Sequence, residues 1–104
     1  MLTEETKTEI KKRLLSKYEL KKIILFGSQA RGTADERSDV DLLVIADLAE
    51  DKFEVMDTLR NALSPINLAF DIVVLTQEEF EKDKKYPGTL SRYVSKEGIL
   101  IYEQ

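Results

Sequence analysis

Two aspartates separated by one residue stand at the start of an apolar segment: Asp39 and Asp41 lead into the run Leu-Leu-Val-Ile at 42–45. This run predicts a β-strand over about residues 39–46. Because side chains alternate between the faces of a strand, both carboxylates must point to the same side of the sheet. Two like charges this close repel each other, whereas a divalent cation requires clustered oxygen ligands. The pair therefore predicts a metal site on a rigid face.

A third aspartate, Asp71, interrupts the apolar segment 69–75, which predicts another strand. An unpaired carboxylate is costly to bury, so Asp71 either faces solvent or belongs to a site. If the two strands are neighbours, Asp71 lies beside Asp39 and Asp41. The three carboxylates then repel each other until a dication joins them.

A glycine-serine turn, Gly27-Ser28, follows the short apolar strand 23–26. Glycine allows close approach of a ligand, Ser28 offers a hydroxyl and a backbone N–H, and a short helix beginning at Ser28 turns its positive end toward a phosphate. Alone, such a pair is an ordinary turn signal. Because this turn lies about ten residues before the aspartate pair, we expect it to bind the triphosphate of a nucleotide.

The rest of the chain predicts alternating helices and strands within one domain over residues 1–104. Helices are expected from Thr3 to about residue 18, after Asp51 to about residue 63, over 77–84 behind a Thr76/Glu79 capping box, and around 90–97, with a last strand at 99–102. We expect Gly98 to end the last helix in the left-handed conformation. The apolar stripe of the second of these helices is expected to face the core and comprises Phe53, Met56, Leu59 and Leu63.

Composition excludes several classes of function. The chain has 104 residues with no cysteine and no histidine, so thiolate or imidazole metal sites and His or Cys catalysis are excluded, and any acid or base must be a carboxylate, lysine or tyrosine. No apolar run approaches the roughly 20 residues that cross a bilayer, and the polar N-terminus does not read as a signal peptide. The expected location is therefore the cytoplasm, with no membrane contact. A net charge of −4 weighs against stable nucleic acid binding.

The run Gly27-Ser-Gln-Ala-Arg31-Gly, followed by Ser38-Asp39-Val-Asp41-Leu, resembles the signature of the DNA polymerase β-type nucleotidyltransferase superfamily, with Asp71 matching its third carboxylate. The resemblance implies an α/β (α+β) fold with a small mixed β-sheet flanked by helices. The length and the C-terminal segment 97–102 are similar to the minimal nucleotidyltransferases that act as antitoxins beside a helical HEPN-domain ribonuclease toxin.

Roles for individual residues follow from this resemblance. It implies that Asp39, Asp41 and Asp71 hold Mg²⁺, with two ions expected, and that Asp71 can accept the proton of the attacking hydroxyl. Gly27 and Ser28 would bind the β- and γ-phosphates of ATP. Arg31 would either contact phosphate or hold the turn against the sheet.

The implied reaction is transfer of AMP from ATP to a hydroxyl, with a tyrosine of a HEPN toxin as the expected acceptor within a hetero-oligomer. Because nearly all residues are needed for the catalytic core, we expect another protein to present the hydroxyl. Two alternatives stay open: a non-catalytic module that neutralises its partner by complex formation, and nucleotidyl transfer to a small molecule.

Overall fold

The computed structural model of the protein describes residues 2–34 and 39–104. Its elements follow the order expected from the sequence. The helices are α1 (Glu4–Leu15), α2 (Ser28–Arg31), α3 (Lys52–Leu63), α4 (Gln77–Asp83) and α5 (Leu90–Glu97). The strands are β1 (Lys22–Phe26), β2 (Val40–Ile45), β3 (Phe70–Leu75) and β4 (Ile99–Glu103).

The four strands form one mixed sheet in the order β3-β2-β1-β4. β1 runs antiparallel to both β2 and β4, whereas β2 and β3 are parallel. A parallel pair requires a crossover connection, which α3 supplies. This confirms the mixed sheet flanked by helices, and it places β2 and β3 side by side as the argument on Asp71 required.

Side chains that alternate along the strands divide the core into two layers. On one face, residues such as Ile23, Leu42 and Ile72 pack with buried residues of α1 and α3. On the other face, strand residues pack with Phe80 of α4 and Val94 of α5. The strand residues of this second layer are Ile24, Phe26, Leu43 and Ile45. Asp41 precedes Leu43 by two positions, so it lies on the face that α4 and α5 cover.

Helix starts are fixed by the side chains that the sequence indicated. Asp51 accepts hydrogen bonds from the backbone N–H groups of Phe53 (2.9 Å) and Glu54 (3.3 Å) at the start of α3. Thr76 and Glu79 form the expected capping box at the start of α4. These local bonds explain why both helices begin where the sequence predicted.

Three details differ from expectation. α1 ends at Leu15 rather than near residue 18, where the Ser16 hydroxyl bonds to the carbonyl of Arg13 (2.6 Å) and competes with helix continuation. Phe53, expected in the core, is 72% exposed. It lies in the first turn of α3, whose inner face is formed by Val55, Leu59 and Leu63.

Gly98 is the third correction, because its φ of −74° is not left-handed. A Cβ at this position would lie 2.6 Å from both Cγ2 of Ile24 and the carbonyl oxygen of Val94. The glycine is therefore required by the close approach of α5 to β1 rather than by backbone conformation. Among residues 2–34 and 39–104, we find no helix that combines the length and the hydropathy needed to span a bilayer.

Candidate nucleotide-binding site

Asp41 and Asp71 are direct neighbours across two parallel strands. They are register partners in the β2–β3 ladder, so their side chains leave the same face of the sheet. Asp39 precedes β2 and is exposed. The structure thus brings together, at one end of the sheet, the backbone positions of all three predicted carboxylates.

The electrostatics of Asp41 reflect this crowding. Partial burial raises its pKa above the ordinary range of an aspartate, and the negative charges of Asp71 and Asp39 raise it further. The positive charge of Arg31 acts in the opposite direction. Asp41 is therefore the carboxylate that feels the charges of Asp71, Asp39 and Arg31 together. A cation beside it would relieve the repulsion between the aspartates.

The glycine of the turn is in contact with the same carboxylate. Gly27 has φ 75° and ψ −155°, a conformation that is essentially restricted to glycine. A Cβ at Gly27 would collide with Oδ2 of Asp41. Ser28 begins α2 immediately afterwards, as the sequence predicted, and Gly32 follows the helix in the left-handed conformation. Gly27 therefore lets the turn lie directly against Asp41.

Arg31, at the end of α2, reaches across to α5. Its Nη1 donates a hydrogen bond of 2.5 Å to the hydroxyl of Tyr93. The Tyr93 ring packs edge-on against Phe26, with centroids 6.4 Å apart and planes at 84°. Phe26 itself is the register partner of Asp41. The sequence carries no signal for this contact of Tyr93, because 62 residues separate it from Arg31.

The donor set suits a hard cation such as Mg²⁺, which prefers carboxylate oxygens and retains several of its waters. Within the ranges 2–34 and 39–104, however, no three acidic side chains are gathered as ready ligands around one point. The three aspartates nevertheless share one end of the sheet, where the charges of Asp71 and Asp39 act on Asp41. Ser38, which opens the second half of the predicted motif, lies outside the described residues.

Gln29 is a further residue of this region to which the sequence assigned no role. It is 7% exposed, and its Oε1 has no hydrogen-bond partner among the described residues. Gln29 is thus the buried residue of α2, the short helix that lies against β1 and β2.

A mixed sheet that carries two register-paired aspartates beside a glycine-serine turn is the arrangement of a nucleotidyltransferase core. The family described as polymerase beta nucleotidyltransferase matches residues 8–104, and the chain belongs to this family. The protein is thus a nucleotidyltransferase, as the sequence resemblance implied.

Two relatives from Methanocaldococcus jannaschii carry the provisional name protein adenylyltransferase. One is 38% identical over 91 residues, which is 86% of this chain and 87% of the relative. The other is 39% identical over 66 residues, covering 61% of this chain and 73% of the relative.

Solved structures share the fold. A toxin-antitoxin crystal structure with AMP-PNP has a TM-score of 0.71 at 23% identity, covering 94% of this chain and 73% of that chain. A complex of a tri-AMPylated HEPN toxin with its MNT antitoxin from Shewanella oneidensis has a TM-score of 0.65 at 21% identity, covering 94% and 70%. A nucleotidyltransferase structure from Sulfolobus solfataricus has a TM-score of 0.62 at 24% identity, covering 92% and 76%.

Proposed function

We propose that the protein is a Mg²⁺-dependent protein adenylyltransferase that transfers AMP from ATP to a hydroxyl group of a partner protein and thereby acts as an antitoxin. The observation that carries the proposal is the in-register pairing of Asp41 with Asp71 beside the Gly27 turn. The names of the relatives support a protein as the acceptor.

Asp39, Asp41 and Asp71 would hold Mg²⁺, and two ions are expected because three carboxylates and a triphosphate supply enough oxygen ligands. The metal, when bound, neutralises phosphate charge and polarises the phosphorus that is attacked. The raised pKa of Asp41 supports this assignment, since a carboxylate destabilised by burial and by like charges is stabilised by a cation beside it.

The remaining chemistry belongs to the chain itself. Gly27 and Ser28 would receive the β- and γ-phosphates at a turn with no side chain in the way, and Arg31 would add a positive charge. The acceptor oxygen forms a bond to the α-phosphorus while the α–β phosphoanhydride bond breaks, so pyrophosphate leaves with the electron pair. Asp71 is exposed, which suits it to accept the hydroxyl proton from an incoming partner.

A HEPN-domain toxin is the partner class that the structural neighbours favour. Those neighbours include an MNT antitoxin in complex with an AMPylated HEPN toxin, and their fold covers 94% of this chain. The proposed acceptor is a tyrosine of the toxin, the proposed assembly is a hetero-oligomer, and the proposed location is the cytoplasm without stable nucleic acid or membrane binding.

The test combines the protein, the product of the adjacent gene, Mg²⁺ and ATP labelled at the α-phosphate. We expect label on the partner and loss of at least 100-fold in the transfer rate with Asp71→Asn, which removes the proposed proton acceptor. Asp57→Asn is a matched control, because Asp57 lies exposed on α3.

Two outcomes would contradict the proposal. Neutralisation of the partner that survives Asp41→Asn without any label would indicate a non-catalytic module that acts by complex formation. Label that appears only on a small hydroxyl compound would indicate transfer to a small molecule. The presence of all three aspartates favours catalysis, whether the acceptor is a protein or a small molecule, over a non-catalytic module.

A further inference from the structure

The geometry points to Tyr93 as a positioning residue that holds Arg31 of the signature turn in place to receive the triphosphate. This inference rests on the proposed nucleotide site and adds to it a residue outside the signature, contributed by α5. The observation behind it is the single hydrogen bond that joins the guanidinium to the Tyr93 hydroxyl.

Arg31 needs such a support because of where it stands. It is the last residue of a four-residue helix and is itself exposed. A long, exposed arginine side chain samples many rotamers, and ordering it on ligand binding costs conformational entropy. A bond already formed in the free protein removes part of that cost, which is the benefit of preorganisation.

Tyr93 is well placed to give that support, because its own position is fixed. Its ring packs edge-on against Phe26, the residue that immediately precedes Gly27. The helix that carries Tyr93 approaches β1 closely: a Cβ on Gly98, at the end of this helix, would collide with Ile24 and with the carbonyl oxygen of Val94. Tyr93 therefore belongs to the same rigid layer as the strand that ends in the turn.

The bond leaves Arg31 able to act on a ligand. A guanidinium has five N–H donors in a planar fork, and only one contact is made to Tyr93. Among residues 2–34 and 39–104 the Arg31 side chain makes no other hydrogen bond, and its further donors suit phosphate oxygens, with which arginine forms paired hydrogen bonds. The charge is also close enough to Asp41 to act on that carboxylate, so the side chain lies at the carboxylate end of the sheet.

The test measures binding of AMP-PNP with Mg²⁺ by calorimetry, so that no partner protein is needed. Tyr93→Phe keeps the ring against Phe26 and removes only the hydroxyl. We expect it to raise the dissociation constant about three- to tenfold, the effect of one hydrogen bond, while the melting temperature without nucleotide stays within about 2 °C of the wild type. Tyr86→Phe is the control, since Tyr86 is 58% exposed and its hydroxyl has no bond within the described part of the chain.

A double-mutant cycle separates positioning from a general structural role. If Tyr93 acts through Arg31, the Tyr93→Phe change has no further effect on affinity in an Arg31→Ala background. Equal losses in both backgrounds, or unchanged affinity of Tyr93→Phe beside a wild type that binds, would overturn the inference and leave the proposed function standing. A wild type that fails to bind AMP-PNP with Mg²⁺ would overturn both.

Discussion

Asp41 Oδ2 occupies the space that a side chain on residue 27 would need, so Gly27 and Asp41 together define the floor of the candidate site. A side chain at position 27 would have to displace the carboxylate of Asp41. The contact joins the turn that would receive phosphates to the carboxylate that would receive the metal, and it explains why the glycine of the signature has to be a glycine.

Gly27→Ala should therefore be damaging in two ways. The backbone conformation costs about 1 to 3 kcal/mol for a residue with a Cβ, and the collision displaces Asp41. We expect a lower melting temperature and no stabilisation by Mg-ATP. Gly88→Ala is the matched control, because Gly88 also has a positive φ (86°) but open space around it. If both variants retained the Mg-ATP shift, the contact between Gly27 and Asp41 would have no role in binding.

Asp41→Asn should separate stability from binding. Partial burial, and then the like charges of Asp71 and Asp39, disfavour ionised Asp41 in the folded protein, so without metal the variant should melt between zero and about 4 °C above the wild type at pH 7. The variant should also lose the increase in the free energy of unfolding that Mg-ATP gives by binding. For the wild type this increase is about 2.7 kcal/mol at a ligand concentration one hundred times the dissociation constant.

The pH dependence provides the check on this variant. Because the folded pKa of Asp41 is raised, the native state binds a proton more readily than the unfolded chain, and wild-type stability should increase relative to Asp41→Asn as the pH falls from 7 toward about 3.9, the ordinary aspartate value. Thermal melts of both proteins across this range, without metal, measure the difference. A difference that does not change with pH would contradict the raised pKa of Asp41, and with it the combined effect of burial and like charges.

Glu79 should show the opposite pH behaviour. Its pKa is lowered by the hydrogen bond from the backbone N–H of Thr76 (2.8 Å) and by Lys52, whose Nζ lies 2.9 Å from the carboxylate. A lowered folded pKa gives stability that is present above about 4.3, the ordinary glutamate value, and is lost as the pH falls through the folded value.

Glu79→Gln should consequently lower the free energy of unfolding at pH 7 by at most about 1 kcal/mol, because the half-exposed ion pair is screened by water. The loss relative to wild type should become smaller as the pH falls below about 4.3 in urea titrations. Glu78→Gln is the control, since Glu78 shares the first turn of α4 and its interaction with the helix dipole but is exposed. An equal loss in the two variants would assign the effect to the dipole.

Truncating side chains on α3 should show that Leu59 contributes to stability as a core residue, whereas Phe53, which was wrongly expected in the core, does not. Leu59→Ala should cost about 2 to 5 kcal/mol, because Leu59 is fully buried between the sheet and α1. Phe53→Ala should stay within about 0.5 kcal/mol of wild type in chemical denaturation, since the ring is exposed. A large loss at Phe53 in the isolated protein would contradict the burial described for α3.

Sequence alone determined the elements and much of the candidate site. The signals for the elements are local: the spacing of apolar residues in strands and helices, the Asp51 cap and the Thr76/Glu79 capping box. The two caps form the local hydrogen bonds that the sequence predicted. That Asp39 and Asp41 share a face also follows from the alternation of a strand. The proposed roles of Gly27, Ser28 and the three aspartates remain predictions, drawn from spacing and from the resemblance.

Tertiary structure decided what depends on pairing between distant segments. Only the sheet order makes Asp71 the partner of Asp41, and only the packing of α5 on β1 gives Arg31 its bond to Tyr93. Packing likewise explains Gly98, which ends α5 as predicted but without the left-handed conformation, and whose lack of a Cβ is required by the contact with Ile24. Spacing along a chain fixes which side of its own element a residue occupies, whereas its neighbours across the fold are set by how the elements bury their apolar faces.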